Sequence, residues 1–77
     1  MSVFKLKYKN EYKALADRLR QARESARLTQ VEVATKLNVP QSFVAKCESG
    51  ERRVDVIELK VLASIYGCAL TYFEDLA

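Results

Sequence analysis

The stretch Leu28-Thr29-Gln30-Val31-Glu32-Val33-Ala34-Thr35-Lys36-Leu37-Asn38-Val39-Pro40-Gln41-Ser42-Phe43-Val44-Ala45-Lys46-Cys47-Glu48-Ser49-Gly50 decides the fold. Thr29 and Glu32 form a capping box. The Thr29 hydroxyl accepts the Glu32 N–H, and the Glu32 carboxylate reaches back to the Thr29 N–H. A helix therefore starts there, with Val33, Ala34 and Leu37 on one apolar face. Asn38-Val39-Pro40 interrupts it. Asn tolerates the left-handed backbone that closes a helix, and Pro cannot continue the old helix but can open a new one. The second helix covers about 40–49, with Val44 and Cys47 inward and Gly50 as its terminating glycine. Gln41, Ser42, Ala45, Lys46 and Ser49 are left facing out.

Outward from this stretch the chain is helical on both sides. Over about 11–26, Tyr12, Leu15, Ala16, Leu19 and Ala22 recur at helical spacing, while Arg18, Arg20, Arg23 and Glu24 fall largely elsewhere. Asn10 reads as the N-cap of this helix. Residues 1–10 form a basic arm in which Phe4, Leu6 and Tyr8 alternate with Lys5, Lys7 and Lys9. Its pattern fits a short strand-like segment or the ragged start of a helix. After the basic loop Glu51-Arg52-Arg53-Val54, a second capping box (Asp55, Glu58) opens a helix with Ile57, Val61, Leu62 and Ile65 at helical spacing, stopping near Gly67. Residues 70–77 read as a last short helix, with Thr71 as N-cap. The expectation is an all-α, five-helix domain over 11–77, without strands.

Composition sets the class. With 77 residues the chain makes one small domain, and 49% apolar with 30% charged residues is a globular balance. Such a domain has no spare core for a deep cleft. His is absent, which removes the commonest general base and a common metal ligand. There is no glycine-rich phosphate loop and no Ser or Cys beside a base. An enzyme is not expected, and neither is a cofactor or a small-molecule ligand. Cys47 and Cys68 lie too far apart for a redox pair and match no zinc framework. They read as buried thiols of a reducing cytoplasm. No apolar run is long enough to span a membrane, and the N-terminus lacks the apolar core of a signal peptide. Residues 1–53 carry twelve Lys and Arg against six Asp and Glu, whereas 54–77 carry Lys60 alone against four acids. A surface so polarised suits a polyanion on one side.

Two short helices joined by a three-residue turn pack steeply as a helix-turn-helix. The tip of the second can then enter the major groove of B-DNA. Leu28-Thr29-Gln30, Ala34, Leu37-Asn38-Val39, Gln41-Ser42-Phe43-Val44, Lys46, Glu48, Gly50 and Arg52-Arg53 resemble the helix-turn-helix family of phage repressors and Cro, the XRE-like family. The closing residues Ile57-Glu58-Leu59, Leu62-Ala63, Tyr66-Gly67 and Leu70 are similar to that family's last two helices. The likeness covers about 12–77. The chain departs from it at Asn38, where the family usually has Gly, and at Arg27, where Gly or Lys is frequent. Acidic Glu51 weakens phosphate attraction in the basic loop.

The resemblance implies roles for individual residues. Gln30 would contact a phosphate or brace the first residue of the next helix. Gln41 would read a base, and a Gln amide matches adenine N6 and N7 together. Ser42 faces the next base, and Lys46 reaches a guanine or a phosphate. Phe43 touches a thymine methyl or packs on the helix pair. Arg52 and Arg53 clamp the sugar–phosphate backbone. The expected function is a sequence-specific regulator of transcription that binds double-stranded DNA, a repressor acting as a homodimer on a near-palindrome. The acidic, aromatic C-terminal helix is the candidate two-fold contact. An antitoxin or a restriction–modification controller shares the format, and the alternative class is a helical protein–protein adaptor that reads no DNA.

Overall fold

Six helices make up the regular structure of the described residues, 3–75, in this computed structural model: α1 (Val3–Lys7), α2 (Lys9–Ser25), α3 (Gln30–Leu37), α4 (Gln41–Ser49), α5 (Val56–Tyr66) and α6 (Thr71–Glu74). Both capping boxes form. Glu32 N–H donates to Thr29 Oγ1 over 3.1 Å and Thr29 N–H donates to Glu32 Oε1 over 2.9 Å. At the start of α5 the corresponding bonds, through Asp55 and Glu58, are 2.8 and 3.0 Å.

Three helices stop by one device. Arg27, Asn38 and Gly67 each take a left-handed backbone, with φ of 59°, 57° and 69°. The residue after each returns its N–H to a carbonyl five positions back: Leu28 to Arg23, Val39 to Ala34 and Cys68 to Ala63. This is the Schellman closure, in which the following side chain packs against the helix it ends. Leu28, Val39 and Cys68 all lie against the core. Gly50 ends α4 with φ 82°, and a Cβ there would meet only ordinary contact with Ala16. Its freedom is needed for the dihedral, not for space.

The helix count exceeds the expected five because the N-terminal segment is itself helical. Tyr8 and Tyr12 N–H bond to the carbonyls of Phe4 and Tyr8, both over 3.1 Å, which carries the helical ladder from α1 into α2. The aromatic rings follow that period: Phe4 sits 4.7 Å from Tyr8 and 6.5 Å from Tyr12. Stacking along one face outweighs the alternation that suggested a strand. Asn10 consequently lies inside α2 rather than capping it. Tyr8 holds the cap position without a side-chain bond. At the other end Leu70, not Thr71, precedes α6, again without a side-chain cap.

The core is built from Leu19, Val33, Val44, Cys47, Leu62, Tyr66 and Phe73, with Ala22, Ala34 and Ala63 allowing close helix approach. Cys47 is buried and Cys68 half-buried, and both are free thiols. The aromatic residues expected to face a second copy are used within the chain. Phe73 is 1% exposed. The Tyr72 ring lies under the Arg18 guanidinium, 5.1 Å from its centroid, and its hydroxyl donates to Gln21. Leu76 lies outside the described residues. Exposed apolar surface is found instead on α5, at Val56, Ile57 and Val61, and on α1.

Two consequences are measurable. An L-residue in the left-handed region costs about 1–2 kcal/mol, of which Gly's extra chain entropy takes back about 0.5–1 kcal/mol. Arg27→Gly should therefore stabilise the fold by roughly 0.5 kcal/mol, raising Tm by about 2–4 °C in a thermal melt. Glu58 is held below its ordinary carboxylate value, first by hydrogen bonding to the Arg52 guanidinium and then by the Asp55 N–H. A carboxyl with a depressed folded pKa stabilises at pH above its unfolded value of 4.5, and the contribution fades as pH falls through the folded value. Urea unfolding at pH 7 and at pH 3 should show a smaller loss of stability on acidification for Glu58→Gln than for the parent.

Candidate nucleic-acid interface

The turn 38–40 joins α3 to α4 and leaves the beginning of α4 at the surface. Gln41, Ser42 and Lys46 are exposed, while Val44 and Cys47, on the opposite face, are buried. Pro40 sets the entry with φ −64° and ψ 152°, which suits the residue just before a helix. The three exposed side chains thus share the outer face that their spacing predicts.

Glu48 belongs to the same helix but points inward and is 8% exposed. Arg23 meets it in a two-pronged ion pair, with Nε–Oε2 at 2.7 Å and NH2–Oε1 at 3.0 Å. The remaining guanidinium nitrogen, NH1, donates to the Leu28 carbonyl over 2.8 Å. One arginine therefore ties α2 to α4 and to the loop preceding α3. Helical spacing sets Arg23 off the apolar face of its helix, and an acid such as Glu48 ordinarily stays in solvent. Each can enter the interior because the other neutralises it. The Tyr66 phenol lies against this pair, its pKa pushed up to about 12 chiefly by burial and then by the Glu48 charge.

Gln30 extends the network to the surface. Its Nε2 donates to Glu48 Oε1 over 3.2 Å, and its Oε1 accepts from Gln41 Nε2 over 3.3 Å. Gln30 therefore takes the bracing position in the structure: its two polar ends bridge the buried acid and the first residue of α4.

The two loop arginines differ. Arg52 is committed within the chain. Its guanidinium makes two parallel bonds to Glu58, at 2.9 and 2.8 Å, donates to the Arg53 carbonyl, and lies 4.1 Å from the centre of the Phe43 ring. Phe43 is half-buried beneath it and lines an apolar groove with Leu37, Val39, Ile57 and Val61. Arg52, Phe43 and Glu58 thus work together to hold the loop 50–55 against the body. Glu58 thus serves twice, closing the capping box of α5 and holding Arg52, and only the first role is visible in residue spacing. Arg53 is exposed and makes no ion pair among the described residues.

A further basic feature comes from the folding of the N-terminal segment. Lys5, Lys9 and Lys13 stand four residues apart, and with Ser49 and Gly50 they line an open cleft of about 350 Å³ beside the end of α4. Lys5 Nζ donates to the Gly50 carbonyl over 2.6 Å. This stripe becomes visible only once the alternating segment is known to be helical.

Among the described residues, no helix is long and apolar enough to cross a membrane. No curated protein and no solved structure matches the chain. A family model described as a helix-turn-helix domain matches residues 14–75, which takes in every helix from the body of α2 to α6. An all-helical body, a three-residue turn and an exposed second helix are what that architecture requires, and a domain of this kind suggests a DNA-binding regulator. The chain belongs to the helix-turn-helix domain family.

Proposed function

We propose that the protein is a sequence-specific regulator of transcription, a repressor that lays the outer face of α4 in the major groove of double-stranded DNA. It would act in the cytoplasm by binding alone, without catalysis. The observation that carries this reading is the grouping of Gln41, Ser42 and Lys46 on one exposed face while every large apolar side chain of α4 turns away from it. An amide, a hydroxyl and an ammonium supply the donors and acceptors that base edges answer to. A protein–protein adaptor would have no use for that set beside Arg53.

In this reading Gln41 and Ser42 contact bases, Lys46 reaches a guanine or a phosphate, and Arg53 contacts the backbone. Arg52 and Phe43 support the loop that presents Arg53. Gln30 acts on Gln41 from behind. Lys9 and Lys13 add phosphate contacts at the far end of α4.

The domain's longest dimension is 33 Å, about one turn of B-DNA. One copy therefore reads one groove, and a single module of this kind buries only about 600–1,000 Å² on DNA. Two copies on a near-palindrome make up the shortfall. With Tyr72 and Phe73 occupied internally, the contact between copies belongs on α5, through Val56, Ile57 and Val61. This patch begins three residues after Arg53, adjoining the proposed DNA face. The exposed residues of α1 serve less well, because a two-fold contact would bring Lys5 and Lys7 against their own copies.

Selection of bound DNA from a random pool should return a two-fold symmetric motif. Gln41→Ala should relax one base position in each half-site. Arg53→Ala should weaken binding to all sequences and lower the slope of log K against log salt by about one. An unchanged motif with Gln41→Ala would remove the base-reading role. Ile57→Asp should abolish cooperative occupancy of the two half-sites in a footprint titration, and cooperativity that survives it would remove the α5 contact.

A further inference from the structure

We propose that α1 and the first turns of α2 bind single-stranded nucleic acid, stacking unpaired bases on an aromatic row and holding their phosphates along a lysine row. The site is separate from the outer face of α4 and does not depend on base reading there. Its rings and lysines precede residue 14, where the match to the helix-turn-helix family begins.

Two ladders run side by side along this segment. Phe4, Tyr8 and Tyr12 stand four residues apart, and Lys5, Lys9 and Lys13 follow each of them by one position. The helical hydrogen bonds from Phe4 through Tyr8 to Tyr12 turn both spacings into rows, set about 100° apart around the axis. Four residues of helix rise about 6 Å, close to the separation of successive phosphates along an extended strand. The aromatic row is not core. Phe4 is 60% exposed, and the three rings line an open recess of about 220 Å³ with Glu11 and Leu15. The lysines line the neighbouring cleft at the end of α4, and Tyr12 borders both spaces. Lys5 holds the Gly50 carbonyl and lies 5.8 Å from the centre of the Tyr12 ring, which pins the two rows beside α4. Lys9 and Lys13 are exposed and make no ion pair among the described residues.

A duplex has no use for this combination. Its base faces are covered by their neighbours, so it presents only base edges and phosphates. Unpaired bases present their faces, and aromatic rings beside a row of cations are the platform on which single strands stack. Phe4 and Tyr8 already touch, with 4.7 Å between ring centres. Bases therefore add over the outer face of Phe4 and in the recess beside Tyr12, not between the first two rings. Charge orients the strand. Glu11, on the aromatic side, repels phosphate and offers acceptor oxygens to the exocyclic amine of a stacked base. The phosphates are directed to the lysines.

The test uses the full chain and fluorescence anisotropy of labelled oligo(dT), oligo(U), an abasic strand and a mixed-sequence duplex, all of one length. Binding of oligo(dT) or oligo(U) well above the abasic strand supports the site, and the stronger of the two names its source. Phe4→Ala and Tyr12→Ala should each weaken strand binding by about tenfold, the loss expected for one stacked base, and leave duplex binding unchanged. Lysine variants would not separate the two ligands, because Lys9 and Lys13 also face phosphate in the proposed duplex complex. Phe4→Trp should keep the affinity, and its indole emission should be quenched by oligo(dT) but not by the abasic strand. If circular dichroism shows that Tyr12→Ala does not fold, the two Phe4 variants carry the test. Equal affinity for oligo(dT) and the abasic strand would overturn the inference, leaving only attraction between charges. Strand binding unmoved by Phe4→Ala, or strand and duplex binding lost in parallel, would overturn it too. Gln41→Ala should leave strand binding intact, so failure of base reading at α4 and failure of this site are seen separately.

Discussion

The Arg23–Glu48 ion pair is the constraint on which the other placements depend. Taking either charge out of water alone costs several kcal/mol. Together they satisfy each other through two hydrogen bonds, and the third guanidinium nitrogen closes the loop at Leu28. Removal of one partner from such a pair typically costs about 3–5 kcal/mol, a large part of the about 5–15 kcal/mol that holds a small domain together. An apolar pair of similar volume could supply equal stability. It could not supply direction. The ion pair has a donor side and an acceptor side, and that asymmetry passes outward to the surface amides of Gln30 and Gln41.

Much of the fold was legible because the chain states its helix boundaries chemically. The two capping boxes place the starts of α3 and α5. Asn38, Gly50 and Gly67 place three of the ends. Each is a local signal, satisfied by residues within a few positions, so no knowledge of tertiary packing is needed. Failures occurred where a local signal competed with a less local one. Asn10 is a good cap by type, but the ladder from Phe4 through Tyr8 to Tyr12 continues past it. Arg27 closes α2 in a conformation that its side chain gives no reason to expect. What holds it there is Leu28, whose packing against the core fixes the residue before it.

The candidate site was legible to a similar degree and for the same reason. Helical spacing alone separates Gln41, Ser42 and Lys46 from Val44 and Cys47, so the outer face could be read. What joins the face to the body could not. Gln30 meets Glu48 across 18 positions, and Arg23 meets it across 25. Sequence spacing within one helix carries no information about either contact. Glu48 in particular looks like a solvated acid until the arginine from another helix is placed beside it.

Net charge is a blunt guide for such a protein. Its positive residues divide by task once the partners are known. Arg23 and Arg52 are neutralised by Glu48 and Glu58, and Arg18 covers Tyr72. These three act as structural ties, using the planar guanidinium that lysine lacks. The exposed cations near α4 are mainly lysines, together with Arg53. A flexible ammonium suits a phosphate whose position shifts with DNA sequence, whereas a carboxylate buried in the fold rewards a rigid two-pronged partner. The division follows from geometry: Glu48 and Glu58, fixed within the fold, hold arginines, and lysines are left lining the surface beside the end of α4. Part of the basic excess that first suggests a polyanion is therefore spent on holding α4 in place, and that expenditure gives its tip a defined orientation.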